Sequence, residues 1–250
     1  MEMSVYALFV ESIRKQKKLF LLLMDPDHFH SEHDIVSFLS HVNKAKPDLI
    51  LLGGSITTNG TETLLRQIKK WCSIPVVLFP GNTFQFTPEA DALLLLTLIS
   101  GRNPDLLIGQ HVVFAQVLKQ SGIETISTGY LLVESGQTTA VEYISNTRPI
   151  PRSKPGIAAA TALAGTMIGN RLIYLEAGSG AEMPVPSDMI AKVKQTIDVP
   201  LIVGGGLRTT SDLIHALAAG ADAVVVGNVF EHVPELIKPF VDLTHDFRMI

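Results

Sequence analysis

Tyr174-Leu-Glu-Ala-Gly-Ser-Gly180 decides how this chain reads. An apolar run, Leu172-Ile173-Tyr174-Leu175, leads into a lone carboxylate at Glu176, and two glycines and a serine follow at once. A buried parallel strand reads this way when it ends in a loop that wraps a small anion. Gly178 and Gly180 permit positive φ and a close backbone approach, so successive N–H groups can point at phosphate oxygens. Leu201-Ile-Val-Gly-Gly-Gly206 and Ala223-Val-Val-Val-Gly-Asn228 repeat the pattern, each followed by a helix-like segment. One glycine end is a common tight turn whether or not it binds anything. Three in succession read as one phosphate site, since barrels hold phosphate on their last strands.

Outward from this stretch, strands and helices alternate. Residues 5–16 read as a short helix covering one end of the domain, and Leu19–Met24 as a first strand closed by Asp25-Pro26-Asp27. Ser31 caps a helix reaching about Asn43, with Ile35, Val36, Leu39 and Val42 on one face. Strand starts fall near 18, 48, 75, 91, 123, 171, 200 and 222. Helices are expected over Thr61–Trp71, Asn103–Gln120, Pro155–Gly169, 186–197, 210–219 and from about 229. The count of eight predicts an α/β fold, a (β/α)8 TIM-type barrel forming a single domain over 1–250. An open doubly wound sheet is the runner-up. One interval breaks the rhythm. Twelve residues separate Phe79 from Ala92 and carry Pro80, Gly81 and Pro88, too few for a crossover helix with its loops. The helix after the third strand is therefore expected to be missing or replaced by an extended segment.

Bulk properties narrow the function. A length of 250 residues with 46% hydrophobic and 18% charged side chains suits one large α/β core. Net charge is −4 and the sequence pI is about 6.0, which argues against a nucleic-acid partner. Cys72 stands alone, so no internal disulfide forms, as in a reducing compartment. The apolar runs Leu19–Met24 and Ala92–Ile99 are too short to span a bilayer. Arg14, Lys15, Lys17 and Lys18 before the first run imitate a signal peptide, but that run stops after six residues at Asp25. The expected location is cytoplasmic, with no integral membrane segment.

In a barrel the carboxyl ends of the strands face the active site. Those ends hold Asp25, Gly54, Ser55, Thr57, Ser127, Tyr130, Glu176, Gly205, Gly206, Gly227 and Asn228. No histidine stands among them, which argues against a Ser/His/Asp triad. Asp25-Pro26-Asp27 is either a turn capping the next helix or a mouth for a hard cation such as Mg²⁺, which takes one or two carboxylates plus substrate oxygens. His28, His30 and His33 match no common zinc spacing and read as surface histidines. Glu176 is either a structural acid paired with an arginine such as Arg208, or a group that takes a proton from a substrate hydroxyl. A phosphate-binding isomerase or aldolase, and a non-catalytic phosphate-ligand sensor, share the glycine ends and stay open.

Met24-Asp-Pro-Asp27, Gly53-Gly-Ser55, Tyr174 to Gly180, Val203-Gly-Gly-Gly-Leu-Arg208 and Val226-Gly-Asn228 together resemble the geranylgeranylglyceryl phosphate synthase and heptaprenylglyceryl phosphate synthase family. Leu98-Ile-Ser-Gly-Arg-Asn-Pro104 resembles that family's Ser-Arg-Asn-Pro segment, with Gly101 inserted. The resemblance implies a Mg²⁺-dependent prenyltransferase that joins sn-glycerol 1-phosphate to an allylic prenyl diphosphate, geranylgeranyl diphosphate here, and releases diphosphate. It implies Mg²⁺ on Asp25 and Ser55, and Glu176 and Tyr174 as catalytic residues. Glycerol phosphate would lie on Tyr174, Leu175, Glu176, Ala177, Gly178, Ser179, Gly180, Gly205, Gly206, Gly227 and Asn228. A homo-oligomer, and transient membrane contact for product release, are also expected. The prenyl tail needs an apolar groove, for which Ala92–Leu96, Val112, Val113, Phe114, Phe84 and Phe86 are the candidates.

Overall fold

The computed structural model describes residues 4–54, 60–82 and 85–248. Eight parallel strands close on themselves in chain order: β1 Leu19–Met24, β2 Leu49–Leu52, β3 Val76–Leu78, β4 Ala92–Thr97, β5 Glu124–Leu132, β6 Leu172–Glu176, β7 Leu201–Gly204 and β8 Ala223–Val226. β8 pairs back onto β1, with Leu19 opposite Ala223 and Leu22 opposite Val226, which rules out the open sheet. The strands read as unbroken apolar runs because both faces are buried. Leu19, Leu21, Leu49, Leu51, Leu172, Tyr174 and Ile202 fill the interior. Phe20, Leu22, Ile50, Leu52, Ile173 and Leu175 alternate with them and lie under the helices.

The outer layer holds α1 Val5–Arg14, α2 Glu32–Ala45, α3 Thr61–Trp71, α4 Gln110–Ser121, α5 Ala140–Ser145, α6 Pro155–Met167, α7 Ser187–Lys194, α8 Thr210–Ala218, α9 Asn228–His232 and α10 Ile237–Asp246. Ser31 caps α2 as expected, accepting from Asp34 N at 3.1 Å. Phe38 rather than Val36 completes the buried face of α2. A π-helical turn over Asp105–Gly109 leads into α4. α5 was not expected. The single helix expected from about 229 is two, because Pro234 after Val233 has no N–H to continue the first.

Between β3 and β4 the described residues hold no α-helix, in agreement with the short interval. Gln85, almost fully buried, ties this segment down. Its Nε2 donates to Gly54 O at 2.7 Å, and its Oε1 accepts from Gly54 N and Gly81 N.

The opposite, N-terminal face is closed by α1, whose Val5 and Tyr6 amides both donate to the Glu124 carboxylate at the start of β5. One device recurs around that rim. Asp48, Asp91 and Asp222 each precede a strand, and each accepts the amide of the preceding strand's first residues: Phe20, Val76 and Leu201.

Candidate active site

The carboxyl ends of the strands open into a cavity of about 660 Å³. Its polar flank is built by the loops after β1, β6, β7 and β8. Its apolar flank is built by Leu93 to Leu96 of β4, with Leu98, Leu106 and Phe114 beyond them. Phe114 packs edge-on against Phe86, ring centroids 4.9 Å apart. Val112 and Val113 point outward, 67% and 72% exposed, so they leave the expected groove, and Phe84 lies outside the described residues.

Glu176 ends β6 inside this cavity and is almost fully buried. One of its oxygens accepts from Gly178 N at 2.6 Å. Burial raises the carboxyl from its ordinary value near 4.5 to about 7, a rise that the Gly178 amide and the Tyr174 hydroxyl partly offset. Desolvation therefore outweighs the hydrogen bonds. Tyr174 lies one inward position below, stacked on Phe79 at 5.3 Å and edge-on to Tyr130 at 5.3 Å. Its hydroxyl is buried beside Glu176 without a hydrogen bond of standard geometry. Burial and the neighbouring carboxylate push both phenols well above their ordinary range. No side chain fits where β7 ends. A Cβ on Gly204 would strike Tyr174 Oη, and one on Gly205 would strike a Glu176 oxygen.

Arg208 does not pair with Glu176. Its guanidinium donates to Ala181 O at 2.6 Å and to Gly180 O and Glu182 O at 3.4 Å, so it holds the loop after β6 in shape. Gln137 Nε2 donates to Gly180 O at 2.7 Å from the other side. Gly178, Gly180, Gly205 and Gly206 all carry positive φ, between 72° and 100°. Asn228 Nδ2 donates to Ser179 Oγ at 3.1 Å and links the β6 and β8 loops. Glu176, Gly178, Ser179, Gly180, Gly205, Gly206, Gly227 and Asn228 thus border one cavity. Leu175 and Ala177 pack in the outer core instead, and Tyr174 lies beneath the cavity floor.

Asp25 meets its capping reading and stands at the cavity mouth. Its carboxylate accepts from Asp27 N at 3.1 Å, capping the 3-10 turn Pro26–His28, and it borders the cavity against Gly54. Glu231 of α9 is near enough for the Asp25 charge to act on it. Among the described residues no group of three or more His, Cys, Asp or Glu forms a metal cage. This donor set fits a hard cation that draws its other ligands from substrate oxygens. Ser55 and Thr57 lie outside the described residues. His28 is a surface residue, as expected, but it also borders the cavity, and its Nδ1 meets Glu231 Oε1 at 2.5 Å.

Comparison with known proteins agrees with this geometry. The PcrB family pattern matches residues 11–243. The chain belongs to the PcrB family. It is 46% identical over 246 residues to geranylgeranylglyceryl phosphate synthase of Chitinophaga pinensis, covering 98% of this chain and 97% of that one. The Spirosoma linguale protein of the same name is 48% identical over 234 residues, 93% of each. Among solved structures, (S)-3-O-geranylgeranylglyceryl phosphate synthase of Thermoplasma acidophilum, in complex with sn-glycerol-1-phosphate, superposes with a TM-score of 0.91. It is 30% identical, over 98% of this chain and 100% of that chain. An N-acetylmannosamine-6-phosphate 2-epimerase from Clostridium perfringens, 12% identical with a TM-score of 0.60 over 97% of this chain and 99% of that one, shares the barrel alone.

Within this PcrB-family site, sequence reasoning misplaced Ser127 as well as Val112, Val113, Leu175 and Ala177, and it missed several residues. β5 runs on to Leu132, so Ser127 lies deep in the strand and bonds Asn170, whereas Tyr130 borders the cavity as expected. Gln85, Gln137 and the His28–Glu231 pair gave no signal, because each acts through a partner far away in the chain. His111, on the apolar flank, meets Thr97 Oγ1 at 3.0 Å, and burial pushes its imidazole down.

Proposed function

We propose that this cavity joins the hydroxyl of sn-glycerol 1-phosphate to an allylic prenyl diphosphate, geranylgeranyl diphosphate, to make a prenylglyceryl phosphate and release diphosphate. One observation carries the reading: a single cavity has anion-wrapping loops and a buried carboxylate on one flank and leucines on the other. The names of the relatives support it. Glycerol phosphate would rest in the loop Gly178 to Gly180 and against Gly205, Gly206, Gly227 and Asn228, and the prenyl tail along Leu93 to Leu96 and Phe114. Glu176 takes the proton of the attacking hydroxyl as its oxygen forms the ether bond, while the allylic carbon–oxygen bond breaks and its electron pair leaves with diphosphate. A carboxyl with a pKa near 7 is matched to that task at neutral pH.

Asp25 and Ser55 would hold Mg²⁺. When bound, the ion neutralises the charge that builds on the departing diphosphate. Charge balance supports it: the described lining carries Asp25, Asp105, Glu176 and Glu231 against Arg208, yet must accept two anions. Tyr174, under the floor, keeps the Glu176 carboxylate in place and closes the site to water from below. No helix of the described residues is long and apolar enough to cross a membrane. The protein works in the cytoplasm with brief membrane contact when the lipid product leaves. Exposed Ile108, Val112, Val113, Tyr143 and Ile144 favour a homo-oligomer. The test is incubation of labelled prenyl diphosphates of rising length with each glycerol phosphate enantiomer, with and without Mg²⁺. Ether product from the sn-1 enantiomer and the twenty-carbon donor, only with Mg²⁺, is expected. No product from any pair would overturn the reading.

A further inference from the structure

The loop after β6 is backed along its length by the segment after β5. Met183 N donates to Ser135 O at 3.0 Å, Gln137 Nε2 to Gly180 O at 2.7 Å and Arg152 Nη1 to Pro184 O at 2.8 Å. Thr139 meets the same loop at its first glycine, and there the contact is of another kind. It stands at the N-cap of α5, yet its side chain makes no cap bond. Only 5% of it is exposed, and its Oγ1 has no hydrogen-bond partner among the described residues. With neither a cap nor a hydrogen bond to make, the side chain acts through its shape. A Cβ on Gly178 would lie 2.5 Å from Thr139 Cγ2, 2.6 Å from Oγ1 and 2.7 Å from Cβ, so the threonine occupies the room that the glycine leaves. Gly178 stands at φ 100° and gives its N–H to Glu176 at 2.6 Å. A glycine has wide backbone freedom, and whatever packs against it decides where its amide points. Arg208 and Gln137 hold the loop at residues 180–182, whereas Thr139 holds the residue that itself holds the carboxylate.

We infer that Thr139 is a positioning residue for the reaction: by packing on Gly178 it keeps that amide on Glu176 and fixes the start of the glycerol phosphate loop. The inference rests on the function proposed above and adds to it a residue that lies behind the loop, outside the cavity lining. No bond forms or breaks at Thr139.

Amide exchange at Gly178, with steady-state kinetics on the same samples, tests this in wild type, Thr139→Ala and Thr139→Val. Loss of Oγ1 and Cγ2 opens room beside Gly178, so Thr139→Ala should speed exchange there by roughly tenfold or more, while exchange at Met183, tied to Ser135, stays as in wild type. In that variant kcat should fall by roughly 3- to 30-fold and KM for glycerol phosphate should rise, with KM for the prenyl diphosphate within about twofold of wild type. Thr139→Val keeps the branched shape and drops the unpaired hydroxyl, so it should keep wild-type exchange and kcat at an equal or higher Tm. Wild-type exchange at Gly178 in Thr139→Ala would overturn the inference. A loss in Thr139→Val as large as in Thr139→Ala would overturn it as well, because the effect would then lie in the hydroxyl. A lower Tm for Thr139→Ala with exchange, kcat and KM unchanged would reduce the contact to packing and sink it too. Ether formation by wild type reports separately on the proposed reaction, and the exchange measurement decides whether Thr139 holds Gly178 whatever that reaction proves to be.

Discussion

At the scale of single residues, Glu176 and Asp25 are both carboxylates at strand ends, but their surroundings give them different work. Glu176 is desolvated, so its carboxyl is raised to about 7, whereas Asp25 caps a turn at the cavity mouth. Glu176→Gln should cut kcat by roughly 10²–10⁴-fold and abolish an acid limb near pH 7 in kcat/KM, and added Mg²⁺ should not help it. Asp25→Asn should weaken diphosphate binding and recover in part at high Mg²⁺, since mass action offsets a weaker site. Equal responses to Mg²⁺ would erase the distinction. The same burial has a stability cost. Because the folded value is raised, the cost is absent below pH 4.5 and grows to about 3 kcal/mol above pH 7. Glu176→Gln should therefore raise Tm over wild type by about 6–12 °C at pH 8.5 and little at pH 4.5. Gly206 tests the clamp: at φ 72°, with a Cβ reaching 2.8 Å from Pro184 N, Gly206→Val should raise KM for glycerol phosphate while leaving KM for the prenyl substrate near wild type.

At the scale of elements, what the sequence revealed follows from what fixes each piece. β1, α3 and the residues of β6 were legible almost to the residue, since two buried faces or one amphipathic face leave a local pattern. The glycine ends were legible for the same reason: positive φ and close approach are written in residue type. α5 was not, because its six residues bury only Ser145 and have no periodicity to show. Val112 and Val113 were misplaced because α4 turns Phe114 and Leu118 inward, and apolar type alone does not tell which face is covered. The segment after β3 was legible as a missing helix, but not the means that holds it, since Gln85 reaches Gly54, 31 residues away. Gln85→Leu removes the bonds to Gly54 and Gly81 at nearly constant volume. It should speed amide exchange at Gly54 and Gly81 and raise KM for the prenyl diphosphate. Unchanged exchange there would show that the segment is held by packing instead.

At the scale of the whole molecule, the two ends of the barrel divide function from stability. The carboxyl end gathers groups that strain the fold, and the amino end gathers the acids that tie each strand to the next. Asp222 accepts Leu201 N at 2.8 Å and pairs with Lys194 at 2.6 Å. Asp222→Ala leaves that amide and ammonium without their acceptor, so Tm should fall by about 6–12 °C for roughly 3 kcal/mol, with KM values unchanged in the folded fraction.

Across pH the two ends act with one sign. Asp48, at the amino end, accepts from His245 of α10 at 2.8 Å, and this hydrogen bond, ahead of the opposing burial, raises the imidazole above its ordinary value near 6.5. A histidine raised on folding contributes stability that is full below the unfolded value and is lost as pH climbs through the folded one. Glu176, raised for the opposite reason, is neutral at low pH and a buried charge above about 7, so its contribution also declines with rising pH. Neither group offsets the other, and Tm should fall between pH 5.5 and pH 8.5. Thermal melts across that range should show His245→Gln losing part of the slope and Glu176→Gln losing a larger part, because Glu176 is buried while His245 is partly screened by solvent. The double variant should lose more of the slope than either single variant. A wild-type Tm that rises with pH over this interval would mean that the carboxylates paired at the amino end, not these two groups, govern the molecule's response.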